Sequence, residues 1–137
     1  LQAAILRVNL RHVVDWNARR RVLARRYDEL LRRTGIGLPT EAPGCEHVYH
    51  LYVLRSPERD HLQKALSAAG IASAVYYPQP LHLLAPCRAL GYRRGDFPVA
   101  ELASAETLAI PLYPELTAEH QQRVVDVLVG ELMLRPA

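Results

Sequence analysis

The chain has 137 residues, half of them hydrophobic and 23% charged. That is one domain's length of globular sequence, which excludes a disordered chain. The net charge of +3 comes almost wholly from arginine, Lys64 being the only lysine, and the isoelectric point near 9.1 permits acidic ligands without being a recognition motif.

Residues 1–33 contain neither Gly nor Pro, so they are expected as one helix about 50 Å long. Trp16, Leu23, Tyr27 and Leu30 fall on one stripe, which Ile5 and Val8 extend. Residues 1–10 are apolar nearly all round and call for partners on several sides, through self-association or against a neighbour. Their pattern lacks the basic-then-apolar order of a signal peptide. With no initiator Met, the chain is expected to be a piece of something longer. Arg19, Arg20 and Arg21 fan around the helix at about 100° each, which argues against a nucleic-acid stripe. The apolar runs are too short to span a bilayer, so neither nucleic acid nor membrane is an expected partner. The domain plan is a lead-in helix over 1–33 and a small α/β domain over 34–137.

Gly35, Gly37, Pro39, Pro43 and Gly44 mark a loop, and residues 47–55 are expected as a strand. On a strand, His47 and His50 point to opposite faces and cannot share a metal. Tyr49 and Tyr52 are likewise assigned to packing on opposite faces. Cys45 and Cys87 are too few for a disulfide framework and are expected as free cytosolic thiols. Ser56-Pro57-Glu58 starts a helix that carries Leu62 and Leu66 inward and stops at Gly70. A buried strand over 71–76 follows.

The next stretch, Tyr76-Tyr77-Pro78-Gln79-Pro80-Leu81-His82-Leu83, is the candidate site. Two prolines forbid helix and ladder pairing and force an extended exit. Two phenols and an imidazole are thereby presented at a stiffened strand end, where function concentrates. Residues 86–90 form a short helix ended by Gly91. Asp96 caps another, opened by Pro98, with Val99, Leu102 and Ala103 facing inward. A strand over 108–110 and a Thr117-capped final helix complete the chain, with Val124, Val125, Leu128, Val129 and Leu132 as that helix's apolar stripe. The sum is an α/β fold, an α+β two-layer sandwich of about three short strands packed by helices.

Ordered blocks along the chain resemble one family. They are Leu1-Gln2-Ala3-Ala4-Ile5, Trp16-Asn17-Ala18-Arg19-Arg20 and His47-Val48-Tyr49-His50-Leu51-Tyr52-Val53. Tyr77-Pro78-Gln79-Pro80-Leu81-His82 and Leu90-Gly91-Tyr92 follow. Then come Gly95-Asp96-Phe97-Pro98-Val99-Ala100-Glu101 and Ile110-Pro111-Leu112-Tyr113-Pro114-Glu115-Leu116-Thr117. This order is similar to the C-terminal part of the DegT/StrS-type pyridoxal-phosphate aminotransferases, which act on nucleotide-linked keto-sugars. The likeness covers nearly the whole chain.

It implies a fold-type I enzyme cut within its inter-domain helix. The missing larger domain would hold the pyridoxal phosphate, its Schiff-base lysine and most phosphate contacts. Lys64 falls in a surface helix and is expected to be solvated, so this chain is expected to contribute no catalytic and no cofactor-binding residue and to be inactive alone. The amino donor would be an amino acid such as glutamate. In the family, the strand exit matching Tyr76-Tyr77-Pro78 closes over the sugar and diphosphate of the substrate. The commoner pattern there is His then Tyr. Tyr76 can still donate a hydrogen bond but carries no positive charge at pH 7. His82 matches the family's Leu-His, either binding diphosphate as a cation or bracing the loop. The substrate-binding candidates are therefore Tyr76, Tyr77 and His82, in a cytoplasmic enzyme expected to be a homodimer. Two other readings stand beside this one. The first is a pyridoxal-dependent sugar dehydratase of the same family, in which His replaces the lysine. The second is a stand-alone binding or regulatory module.

Overall fold

The computed structural model describes residues 1–133. The expected single lead-in helix is two helices, α1 (Gln2–Asn9) and α2 (Val13–Leu31). Between them the bonding tightens: Arg11 N–H reaches Val8 O at 3.2 Å and His12 N–H reaches Asn9 O at 2.9 Å, the i→i+3 pattern of a narrower helix. Residues 1–15 are exposed apart from half-buried Asn9, so no core contact holds this junction straight. The lower half of α2 is different. Ala24, Tyr27 and Leu31 are buried, with Leu23 and Leu30 packed beside them, as the stripe predicts.

The expected strand over 47–55 shrinks to β1 (Tyr52–Arg55). Tyr49 has φ 47°, the left-handed region that interrupts an extended run, and its N–H donates to His47 Nδ1 at 2.8 Å. The break turns Tyr49 to the same side as Tyr52, contrary to the alternation expected. Both are buried, with rings 6.2 Å apart and stacked. β1 pairs antiparallel with β2 (Thr107–Ile110) in a two-stranded sheet, with Tyr52 opposite Ile110 and Leu54 opposite Leu108. The expected third strand is reduced to one bridge, Ala74 to Ala109. Pro78 and Pro80 follow too closely for the ladder to extend. On the far edge, Gly37 bridges Arg55, and a Cβ at Gly37 would lie 3.0 Å from Arg55 Cβ. That position needs glycine for close approach.

α3 (Arg59–Ala68) follows the Ser56 turn, whose Oγ accepts Glu58 N–H at 3.1 Å. It ends at Gly70, φ 72°, where Ile71 N–H reaches back to Leu66 O at 2.8 Å, the closure that a left-handed glycine allows. α5 (Ala118–Met133) is capped by Thr117, whose Oγ1 accepts His120 N–H at 3.2 Å. It buries Val124, Val125 and Leu128. α3 packs on α5 and on β2, and α5 packs on α2. Leu54, Leu62, Leu66, Leu108 and Leu128 are shared in one core. Fully buried Gln121 donates to Leu23 O at 2.7 Å, which ties α5 to α2.

Two short 3-10 helices, Leu81–Leu83 and Ala85–Leu90, precede α4 (Pro98–Glu106). Of the expected inward face of α4, Ala103 turns inward but Val99 and Leu102 do not. Val99 is 80% and Leu102 49% exposed, while Glu101, Ala103 and Ser104 are half-buried. The inner side of α4 carries Glu101, which meets His82 Nε2 at 3.0 Å, and buried Arg59 donates to the backbone carbonyls of Ser104 and Thr107 at the end of the helix, at 3.2 and 3.4 Å. Asp96 does not cap this helix. The residue before its first turn is Phe97, and Asp96 Oδ2 accepts Arg93 N–H at 2.8 Å instead.

Two phenols are locked in the core. Tyr27 Oη donates to Pro111 O at 2.9 Å and Tyr52 Oη to Asp28 Oδ1 at 2.5 Å. Burial pushes both phenols well above the ordinary value, and Asp28 pushes Tyr52 further. A raised folded-state value means that the unfolded chain loses these protons first, so stability is complete below about pH 10 and falls above it. Urea unfolding from pH 9 to 11.5 should show little change up to about pH 10 and then a loss approaching about 1.4 kcal/mol per pH unit for each phenol. The Tyr27→Phe/Tyr52→Phe double variant should lack that part of the slope.

Candidate functional site

The chain leaves Ala74, bonded both ways to Ala109 at 3.0 and 2.8 Å, and runs at once into the proline loop. Tyr76 is 51% and Tyr77 72% exposed. Their rings meet edge to face with centroids 6.0 Å apart. A groove of about 430 Å³ opens between this loop and α4. Tyr77, Pro80 and His82 form one wall, and Phe97, Ala100 and Ser104 form the other. Tyr76 stands beside the groove rather than in its lining.

His82 takes a different place from the two tyrosines. It is buried, and its Nε2 lies 3.0 Å from Glu101 Oε1. The same Glu101 oxygen accepts Gly95 N–H at 2.7 Å. The His82 ring lies 4.9 Å from the Phe97 ring, which is met edge-on by Tyr92 at 5.0 Å. Chiefly the Gly95 amide, and then His82, hold the Glu101 carboxyl below the usual carboxylate range, against the opposing effect of its partial burial. An ionised carboxylate only accepts hydrogen bonds, so Nε2 of His82 carries the proton. Nothing in the local sequence singles out Glu101, because an acid in a helix's first turn reads as a dipole partner. Its distance to His82 exists only once the loop and α4 are side by side.

The remaining polar candidates are scattered. His47 lies against the Tyr49 ring at 4.3 Å, and His50 is exposed. Among the described residues, no group of three or more His, Cys, Asp or Glu gathers as metal ligands would. Lys64 is exposed on α3, and Cys45 and Cys87 are free. A second groove, of about 440 Å³, runs along α2 past Arg21, Arg25, Asp28, Arg32 and Glu41. Its charges of both signs offset one another, and Arg21 is already paired with Glu46 at 3.0 Å. No described helix is long and apolar enough to cross a membrane.

The model of one protein family matches residues 1–129. The chain belongs to the DegT/DnrJ/EryC1/StrS aminotransferase family. It is 46% identical to the erythromycin biosynthesis sensory transduction protein EryC1 of Saccharopolyspora erythraea, over 93% of this chain and 35% of that protein. It is 38% identical to the dTDP-3-amino-3,4,6-trideoxy-alpha-D-glucose transaminase of Streptomyces venezuelae, over 93% of this chain and 34% of that enzyme. Among solved structures, that of S. venezuelae DesV in complex with a ketimine intermediate superposes with TM-score 0.93 at 36% identity, covering 99% of this chain and 37% of that one. The chain thus spans about a third of the length of the family members it matches. Within this family portion, the groove between the proline loop and α4 is the one that contains Tyr77 and His82.

The lowered Glu101 value fixes a sign. Its contribution to stability is present above the ordinary glutamate value, about 4.3, and is lost as pH falls through the lower folded-state value. Glu101→Gln should therefore lower stability at neutral pH and give a shallower acid limb below about pH 4.3 in a denaturation series, the two proteins converging toward strongly acid pH.

Proposed function

We propose that the full-length protein is a pyridoxal-phosphate-dependent aminotransferase that moves an amino group from an amino acid, glutamate by preference, to a nucleotide-linked keto-sugar. Family membership over residues 1–129 carries this reading, supported by relatives whose names describe transaminases of dTDP-sugars. The cofactor, when bound, supplies the electron sink for amino transfer. The residues of this chain do not fit a pyridoxal phosphate site. A lysine that joins the cofactor must be desolvated enough to lose its proton, and Lys64 stands exposed on α3. The chain alone is accordingly inactive, and its share of the work is substrate binding.

Tyr77, at the open lip of the groove, donates its hydroxyl to a sugar or phosphate oxygen. Tyr76 covers the adjoining edge. His82 forms the inner wall and keeps Tyr77 in place, its Nε2 being occupied by Glu101. The apolar lining of the groove, Pro80 on one wall with Phe97 and Ala100 on the other, matches the ring face of a deoxygenated sugar, which offers few hydroxyls to desolvate. Ile5, Leu6 and Val8 on α1 and Leu10 just after it are all more than half exposed. They seat against the rest of the full-length protein or a second copy, in a homodimer. The enzyme works in the cytoplasm, which its two free thiols support.

In the full-length enzyme, Tyr77→Phe should raise the Michaelis constant for the nucleotide-sugar by about two- to tenfold, the worth of one neutral hydrogen bond. The turnover number and the cofactor absorbance should stay close to wild type. An unchanged Michaelis constant would remove Tyr77 from the site. For the isolated chain, borohydride reduction in the presence of pyridoxal phosphate should leave no stoichiometric adduct on Lys64 by mass spectrometry. A full adduct there would overturn the assignment of the cofactor to the rest of the protein.

A further inference from the structure

Glu101 stands behind the groove and not in its lining, yet both walls meet at its carboxylate. One wall reaches it through His82 Nε2, at 3.0 Å. The turn leading into α4 reaches the same oxygen through Gly95 N–H, at 2.7 Å. The other wall is α4 itself, which carries Glu101 and whose first turn is closed by Glu101 N–H to Phe97 O at 3.0 Å.

The remaining hydrogen bonds of the loop are local. Gln79 Nε2 donates to Leu83 O at 3.0 Å, and Leu83 N–H donates to Pro80 O at 3.0 Å. Among the described residues, the bond from His82 to Glu101 is the one hydrogen bond between this loop and α4. Both side chains are shielded, His82 at 7% and Glu101 at 13% exposure, so water screens the pair far less than a surface ion pair. Tyr77 by contrast has no hydrogen bond to another of the described residues, and the loop that carries it places its hydroxyl.

From this convergence we propose that Glu101 is a positioning residue for the nucleotide-sugar. By gripping His82 and Gly95 with one oxygen, it sets the width of the groove and the place of the Tyr77 hydroxyl at its lip. The proposal rests on the reading that this groove receives the sugar. Glu101 itself touches no substrate. Its effect passes through His82, so the two residues act as one unit.

The test uses the full-length enzyme with its cofactor, a panel of dTDP- and UDP-linked 3-amino sugars as amino donors and 2-oxoglutarate as amino acceptor, read by the glutamate formed. Glu101→Ala should raise the Michaelis constant about tenfold and leave the turnover number within about twofold. Glu101→Gln retains the accepting oxygen and should return the Michaelis constant to within about threefold of wild type. Glu101→Asp is shorter by one methylene and cannot reach both donors. It should behave like the alanine variant, and it stands in for that variant should the latter fail to fold. Combining Glu101→Ala with His82→Ala should cost no more than either change alone, since coupled residues do not add. If the Glu101 and His82 effects add, or if Glu101→Ala and Glu101→Asp bind sugar like wild type while Tyr77→Phe does not, the clamp is overturned and the substrate reading survives. If the wild-type enzyme processes none of the sugars, the substrate reading falls and takes the clamp with it.

Discussion

The pairing of β1 with β2 is the constraint on which the rest of the fold depends. A ladder of four residues per strand is marginal by itself in water. Here one face carries Tyr52 against Ile110 and Leu54 against Leu108, and all four side chains are buried. Each contributes roughly 1.5–3 kcal/mol when covered. The cover is supplied by α2, α3 and α5, whose apolar stripes join those four residues in one core. Without that layer the two strands have nothing to hold them, and without the strands the helices have no common surface to meet.

The groove inherits its shape from the same pair of strands. β2 holds the proline loop on one side through the bridge from Ala74 to Ala109. It also holds α4 by direct chain continuity, since α4 ends at Glu106 and β2 starts at Thr107. Arg55 of β1 reaches Glu106 at 2.9 Å, and Ser56 N–H reaches Glu106 O at 3.0 Å. Buried Arg59 adds bonds to Ser104 O and Thr107 O. The joint between α4 and the sheet is thus fixed by three residues of the opposite segment. Away from this joint, one hydrogen bond, from His82 to Glu101, and the contact of the His82 and Phe97 rings tie the walls together.

That division explains why one domain portion can combine a rigid core with exposed aromatic residues. Tyr76, Tyr77, Phe97 and Val99 are exposed because the proline loop and α4 lie at the margin of the core, not over it. A loop stiffened by Pro78 and Pro80 keeps such side chains presented with little conformational freedom to lose on binding. The exposed apolar residues of α1 form a second unpartnered surface at the opposite end of the sequence.

Local sequence was enough for the stripes of α2, α3 and α5, the Thr117 cap, the stop at Gly70 and the proline-stiffened exit after Ala74, whereas Ser56 closes a turn before α3 and does not cap it. These are local, set by side-chain spacing over a turn or two and by the fixed geometry of Pro and Gly. The ordered blocks from Leu1 to Thr117 also carried the family. Tertiary structure decided what local pattern cannot encode. Tyr49 takes a left-handed backbone and joins Tyr52 on one side, which no alternation rule foresees. The segment near Ala74 keeps one bridge in place of a strand, because prolines cut the ladder. α4 turns Glu101 inward and leaves Val99 and Leu102 in water, since His82, 19 residues away in sequence, meets the Glu101 carboxylate there. An apolar stripe records what a helix is able to bury; which face it does bury depends on neighbours that only the folded chain brings into contact.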